Sequence, residues 1–360
     1  RTNPILYRKY VVVEKGRSVL YLRPQKALYG MMKSALLFYR KLVAELRDMG
    51  FTINPYDPCV ANKMVNGSQM TVRWHVDDLM ISHAVHDEIM TFVQQIKDIY
   101  GENLTEKAGT VHDYLGMTFD YSFTDEVRIN MQQYISKVIK EFPAAITSKC
   151  ATPATDNLYK IREDGRKLDD TQADAFHHTV YQLLFAANRA RRDIQTAVSF
   201  LTTRVKAPDE DDWNKLVRVL CYLNGTRYLK LILSADSMNF SIHWYIDASH
   251  QVHEDCRGQI GSLMTLGKGA VTSSSNKMKC NTKSSTETEL IALGDKLPDV
   301  LWTRYFVECQ GYDIDECTIF QDNMSALSLE KNGRVSSSKR SKHIKAKYFL
   351  IKDYYDAGEI

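Results

Sequence analysis

Two adjacent carboxylates, Asp77 and Asp78, sit between two short apolar runs, and they narrow the local fold more than any other stretch of the chain. Val72, Trp74 and Val76 alternate ahead of the pair, and Leu79, Met80 and Ile81 follow it. That pattern predicts a strand, a tight acidic turn and a second strand over residues 71–83. Neighbouring carboxylates repel and are costly to desolvate. A turn anchored to a core on both sides tolerates them when a divalent cation neutralises them. Aspartate is equally at home in a solvated turn, so the pair alone leaves both readings open.

The surrounding chain is organised in segments. Its 360 residues suggest about two or three domains. Leu36, Leu37, Phe38, Leu42, Val43 and Leu46 have helical spacing and end at Gly50. A second helix is predicted over 87–100, a pair of strands over 114–130 and a helix over 131–142. Polar and charged residues with Pro153 and Gly165 mark a linker at 149–172. Residues 173–224 read as helix throughout, broken near Pro208, with Asp212 as a candidate cap. From 240 onward the pattern becomes three strands, helix, strand, helix, helix. The formal charge of +3 excludes a uniformly basic nucleic-acid binder, so any such contact must come from local patches. No apolar run reaches ~18 residues, so no membrane span is expected. Seven scattered cysteines without a C-x-x-C pair read as reduced intracellular thiols.

The last segment holds a second acidic constellation. Asp247 ends a predicted strand, Asp322 ends the next, and Glu289 lies one turn into the intervening helix. Carboxylates at strand ends converge on one sheet edge, and a helix packed on the sheet adds a third. Such a trio suits two Mg²⁺ ions (Mn²⁺ is an alternative) that activate water and stabilise a departing 3′-oxygen. Glu287 competes with Glu289, and residues two apart do not share a helix face. His243, His250, His253 and Cys256 are too irregularly spaced for a zinc pattern. Lys331, Arg334, Lys339, Arg340, Lys342, Lys345 and Lys347 form an acid-free basic stretch suited to phosphate contacts. Arg189, Arg191 and Arg192 form a second cluster, either another phosphate track or an ordinary surface patch.

Several short motifs occur in order: Lys26-Ala27-Leu28-Tyr29-Gly30, Gly50-Phe51, Asp57-Pro58-Cys59, Val76-Asp77-Asp78-Leu79, Tyr114-Leu115-Gly116-Met117, Ser284-Ser285-Thr286-Glu287 and Arg340-Ser341-Lys342-His343-Ile344. Together they resemble the reverse transcriptase and ribonuclease H regions of copia-type LTR retrotransposon polyproteins, over nearly the whole chain. The resemblance implies an α+β or α/β architecture. It consists of a partial palm and thumb at 1–148, a linker at 149–172, a helical connection at 173–236 and a ribonuclease H-like mixed-sheet domain at 237–360. It makes Asp77 and Asp78 palm aspartates for nucleotidyl transfer. It makes Asp247, Glu289 and Asp322 a nuclease centre, each site with two Mg²⁺ ions, and its acid-Leu-small pattern favours Glu289 over Glu287. Lys339, Arg340, Lys342, His343 and Lys347 would contact nucleic acid.

The implied partners are an RNA template, a DNA primer, an RNA/DNA hybrid, dNTPs and the remaining polyprotein, including upstream palm and fingers and an integrase. A cytoplasmic particle and the nucleus are the expected locations. His75 stands where the family usually has Tyr, and Lys345 where it usually has an acid. A further palm carboxylate is expected ahead of Arg1 and a fourth nuclease carboxylate beyond Ile360, so primer extension by residues 1–360 alone is not expected. A catalytically silent nucleic-acid-binding copy, or another two-metal nuclease on the same fold, is the alternative.

Overall fold

The computed structural model describes residues 7–23, 25, 28, 30–101, 104–235, 240–333 and 350–360. Most of the Lys26–Gly30 motif and the basic positions Arg334, Lys339, Arg340, Lys342, His343, Lys345 and Lys347 lie outside the described residues. The chain is an α+β protein with several antiparallel sheets and one mixed sheet, and it divides into two compact units, Arg1–Thr105 and Glu106–Ile360.

In the first unit, β1 (Val11–Glu14) and β2 (Arg17–Leu20) form a hairpin, followed by α1 (Met32–Asp48). β3 (Thr52–Ile53), β4 (Val60–Val65), β5 (Ser68–His75) and β6 (Asp78–Ser82) then form an antiparallel sheet in chain order, and α2 (His86–Tyr100) follows. The spacing read from the sequence buries Leu42, Val43 and Leu46 of α1 with Phe92 and Ile96 of α2. Both helices pack on Met70, Val72 and Trp74 of β5. Gly50 ends α1 because its φ of +86° is open to glycine at little cost. Its N–H donates to the Arg47 carbonyl and that of Phe51 to the Leu46 carbonyl, a Schellman closure.

In the second unit, β7 (Val111–Tyr114) precedes the pair of strands predicted over 114–130, which are β8 (Met117–Phe123) and β9 (Glu126–Asn130). Leu115 and Gly116, at φ +50° and +77°, make the tight β7–β8 turn that the sequence reading placed inside a strand. After α3 (Gln132–Glu141), the helical stretch expected over 173–224 with one break near Pro208 is α4 (Asp170–Ala187), α5 (Gln195–Thr202) and α6 (Glu210–Thr226), and the break near Pro208 separates α5 from α6. The additional break falls at residues 188–194. Arg191 is fully buried there, its guanidinium on Asp193 at 2.6 Å and on Thr226. Asp209, rather than Asp212, caps α6. Asp212 completes the capping box from inside the first turn. β10 (Leu231–Leu233) then returns to pair with β9, so the sheet order is β10-β9-β8-β7.

The mixed sheet has the order β13-β12-β11-β14, made of β11 (Ser241–Ser249), β12 (Arg257–Thr265), β13 (Thr272–Asn281) and β14 (Glu316–Phe320). β14 runs parallel to β11 and the other pairs are antiparallel. β11 buries Ile242, Trp244, Ile246 and Ala248, which join a core with Leu290, Leu293, Leu297 and Val300 of α7 (Ser285–Cys309). α7 continues through Pro298. The apolar face beyond the proline, including Val300 and Val307, is buried and outweighs the missing backbone bond. α8 (Met324–Asn332) and α9 (Ile351–Asp356) complete the core.

The outer edge of β13 is covered by the helical segment before it. Arg192 Nη2 donates to the Val271 carbonyl at 3.0 Å, Gln195 Nε2 to that of Ser273 at 2.8 Å and Ser199 Oγ to that of Ser275 at 2.6 Å. Alternate strand carbonyls therefore meet donors at helical spacing, and the exposed edge is closed.

Candidate metal centre

Asp247 lies near the C-terminal end of β11, on the face opposite its buried alternation. Asp322 follows the neighbouring parallel strand by two residues. Glu289 sits in the first turns of α7 and is 5% exposed, whereas both aspartates are exposed. One carboxylate oxygen from each of the three lies within 4.8 Å of the others, and this is the one such group of three acidic, histidine or cysteine ligands found among the described residues.

Glu289 is held from two sides. Its Oε1 accepts the Ala248 N–H at 3.3 Å, and its Oε2 accepts the Gln321 side-chain amide at 3.1 Å. Gln321 also donates to the Ile246 carbonyl and accepts the Asn323 N–H, so it spans the gap between β11 and β14. Asp247 Oδ1 accepts the same Ala248 N–H at 2.8 Å. Burial, aided by the charges of Asp247 and Asp322 and opposed by the two hydrogen bonds, pushes the Glu289 carboxyl up to about 7. Glu287 instead stays at the helix start, where it accepts the Lys283 N–H at 2.8 Å, while Ser284 caps the helix by accepting the Glu287 N–H. Gln321 was not singled out in the sequence, although it sits beside Asp322 in a Gln-Asp-Asn run.

The donor set consists of oxygens only, with three carboxylates in reach of a common point, and it fits a hard divalent cation such as Mg²⁺ or Mn²⁺. Zinc finds no such set here. His253 bonds Gln259 at 2.9 Å, His250 bonds two threonines, and His243 packs its ring edge against Phe320.

Asp77 and Asp78 occupy the β5–β6 hairpin. His75 pairs with Asp78, leaving Val76 and Asp77 as a two-residue turn, and all four residues are exposed. His75 and Asp78 lie on the sheet face away from α1 and α2, since Trp74 and Leu79 face the core. Val76 has φ +57°, a costly conformation for a β-branched residue. No third acidic, histidine or cysteine ligand joins the pair among the described residues.

The arginine cluster is not a phosphate track. Arg191 is fully buried, Arg192 is bonded to the Val271 and Ala187 carbonyls, and Arg189 lies over the Phe185 ring.

Residues 12–156 match the family of reverse transcriptase (RNA-dependent DNA polymerase) domains. They are a reverse transcriptase domain of the copia type. Over 95% of its length the chain is 24% identical to a retrovirus-related Pol polyprotein from transposon TNT 1-94 of Nicotiana tabacum. It is 25% identical over 97% of its length to the Pol polyprotein from transposon RE2 of Arabidopsis thaliana. It spans 26% and 23% of those two polyproteins. A transposon Ty5-1 protein of Saccharomyces cerevisiae is 27% identical over 76% of the chain, which covers 87% of that protein. The acidic trio lies downstream of the reverse transcriptase domain, in the part of the chain shared with the two plant polyproteins. Among the described residues no helix is long and apolar enough to cross a membrane.

Proposed function

We propose that Asp247, Glu289 and Asp322 form a ribonuclease H-like centre that hydrolyses the RNA strand of RNA/DNA hybrids. It would serve the reverse transcriptase domain that precedes it. The observation that carries this reading is the convergence of three carboxylates, from β11, α7 and the segment after β14, to within 4.8 Å. The exposed Asp247 and Asp322 would hold cations on the open side. Glu289 would close the site from beneath, oriented by Gln321 and the Ala248 N–H. Mg²⁺, when bound, supplies Lewis acidity toward water and the leaving 3′-oxygen. On the same reading Asp77 and Asp78 belong to the nucleotidyl-transfer site of the parent polyprotein. That site takes an RNA or DNA template, a primer and dNTPs. The basic positions Lys339, Arg340, Lys342, His343 and Lys347 would contact phosphates.

The test is cleavage of an RNA/DNA hybrid with Mg²⁺ by the 360-residue chain and by Asp247→Asn and Asp322→Asn. Hybrid cleavage that falls by more than about 100-fold in both variants, with binding retained, is the expected result. Hybrid binding without cleavage by the parent would favour a catalytically silent binding protein. Equal cleavage of duplex DNA would favour another two-metal nuclease.

A further inference from the structure

Three elements that carry or border the acidic trio are joined by one small polar cluster. His250 directly follows β11, Thr282 directly follows β13, and Thr288 lies in the first turn of α7, next to Glu289. Thr282 and Thr288 are 4% and 0% exposed. His250 Nδ1 lies 3.0 Å from Thr282 Oγ1 and 2.9 Å from Thr288 Oγ1, and the two hydroxyls are 2.7 Å apart.

The protons can be counted. Thr288 has one hydroxyl proton, and it goes to the Ser284 carbonyl at 3.0 Å. The Thr282 hydroxyl must then donate to Thr288 Oγ1, and both oxygens are left as acceptors toward the imidazole. With the proton on Nδ1, the imidazole donates to both hydroxyls and every contact of the cluster is satisfied at once.

The packing around Thr288 is equally specific. A Cβ at Gly258 would lie 3.1 Å from Thr288 Cγ2 and 2.6 Å from both Met278 Sδ and the Ser249 carbonyl. Glycine at 258 lets β12 close on the end of β11 and on the start of α7.

We propose that His250 is a positioning residue of the acidic centre. Its Nδ1–H fixes the end of β11, which bears Asp247, to the first turn of α7, which bears Glu289, and so sets the spacing of those two carboxylates. The inference rests on the metal-centre reading above.

It is tested with the full 360-residue chain by replacing His250 with Ala, Asn and Gln. The asparagine amide nitrogen falls where Nδ1 lies, whereas that of glutamine is one methylene further out. Mn²⁺ affinity, read from the free-ion EPR signal, is expected to fall about 10–100-fold in His250→Ala. It should return largely in His250→Asn and not in His250→Gln. The Mg²⁺ concentration for half-maximal hybrid cleavage should follow the same order, with kcat at saturating Mg²⁺ retained. Circular dichroism checks folding, and if His250→Ala does not fold, the Asn and Gln pair decides. Equal Mn²⁺ binding by the Asn and Gln variants, or wild-type binding in all three, overturns the positioning role alone. No Mn²⁺ binding by the wild-type chain overturns the metal-centre reading, and the positioning role with it.

Discussion

Glu330 is a buried carboxyl with no compensating partner among the described residues. It lies on α8, is 3% exposed, and neither of its oxygens has a hydrogen-bond partner among the described residues. Burial pushes it up to about 8, so it is held as the neutral acid at physiological pH. The folded pKa is raised above the unfolded value of 4.5, so the folded state binds the extra proton between the two. Its contribution to stability is full below pH 4.5 and is lost progressively as pH rises to about 8. Glu330→Gln removes this dependence. In urea titrations the variant should gain on the parent across that window, by on the order of 5 kcal/mol, and by no more above it. Parallel stability curves for the two proteins would sink the assignment.

Nothing in the sequence marks Glu330, the one acid of α8, as a buried residue. Its burial is a tertiary fact, as is that of Arg191. Asp247 was legible for the opposite reason: strand alternation around Trp244 and Ile246 fixes its face, and the strand end fixes its position.

At the scale of elements, the β5–β6 hairpin is the part whose local chemistry and conformation conflict. A two-residue turn prefers glycine or asparagine where φ is positive, yet Val76 occupies that position at φ +57°. Such a residue costs of the order of 1–3 kcal/mol, borne here by the packing of Trp74 and Leu79 on either side. Val76→Gly should therefore raise the stability of the first unit by about 1 kcal/mol, after the entropy cost of glycine is subtracted. A decrease in the denaturation midpoint would show that the turn is not strained. The hairpin was legible because apolar alternation brackets the acids. The β7–β8 turn was not, because Leu115 gives no turn signal and only Gly116 marks the place. The continuation of α7 through Pro298 was also hidden, since the apolar face that sustains it is recognisable only against β11 and its neighbours.

At the scale of the whole chain, contacts remote in sequence decide what holds together. β10 closes on β9 across roughly a hundred residues, and the residues from 192 to 199 close the edge of β13. Neither pairing has a local sequence signal, because a short strand such as Leu231–Leu233 and a serine at a helix surface are uninformative alone. A sequence-based cut at 236/237 would remove the Arg192, Gln195 and Ser199 donors from the carbonyls of Val271, Ser273 and Ser275. It would also strip Ser199 from Gln259, a buried side chain on β12. An edge strand uncovered in this way is a template for intermolecular pairing. Residues 106–360 expressed alone should thus be monodisperse and melt cooperatively, whereas residues 237–360 should self-associate or melt at lower temperature. Size-exclusion chromatography and calorimetry of the two chains distinguish these outcomes. A monomeric 237–360 with an unchanged melting temperature would mean that the helical segment is a neighbour of β13 and not its cover.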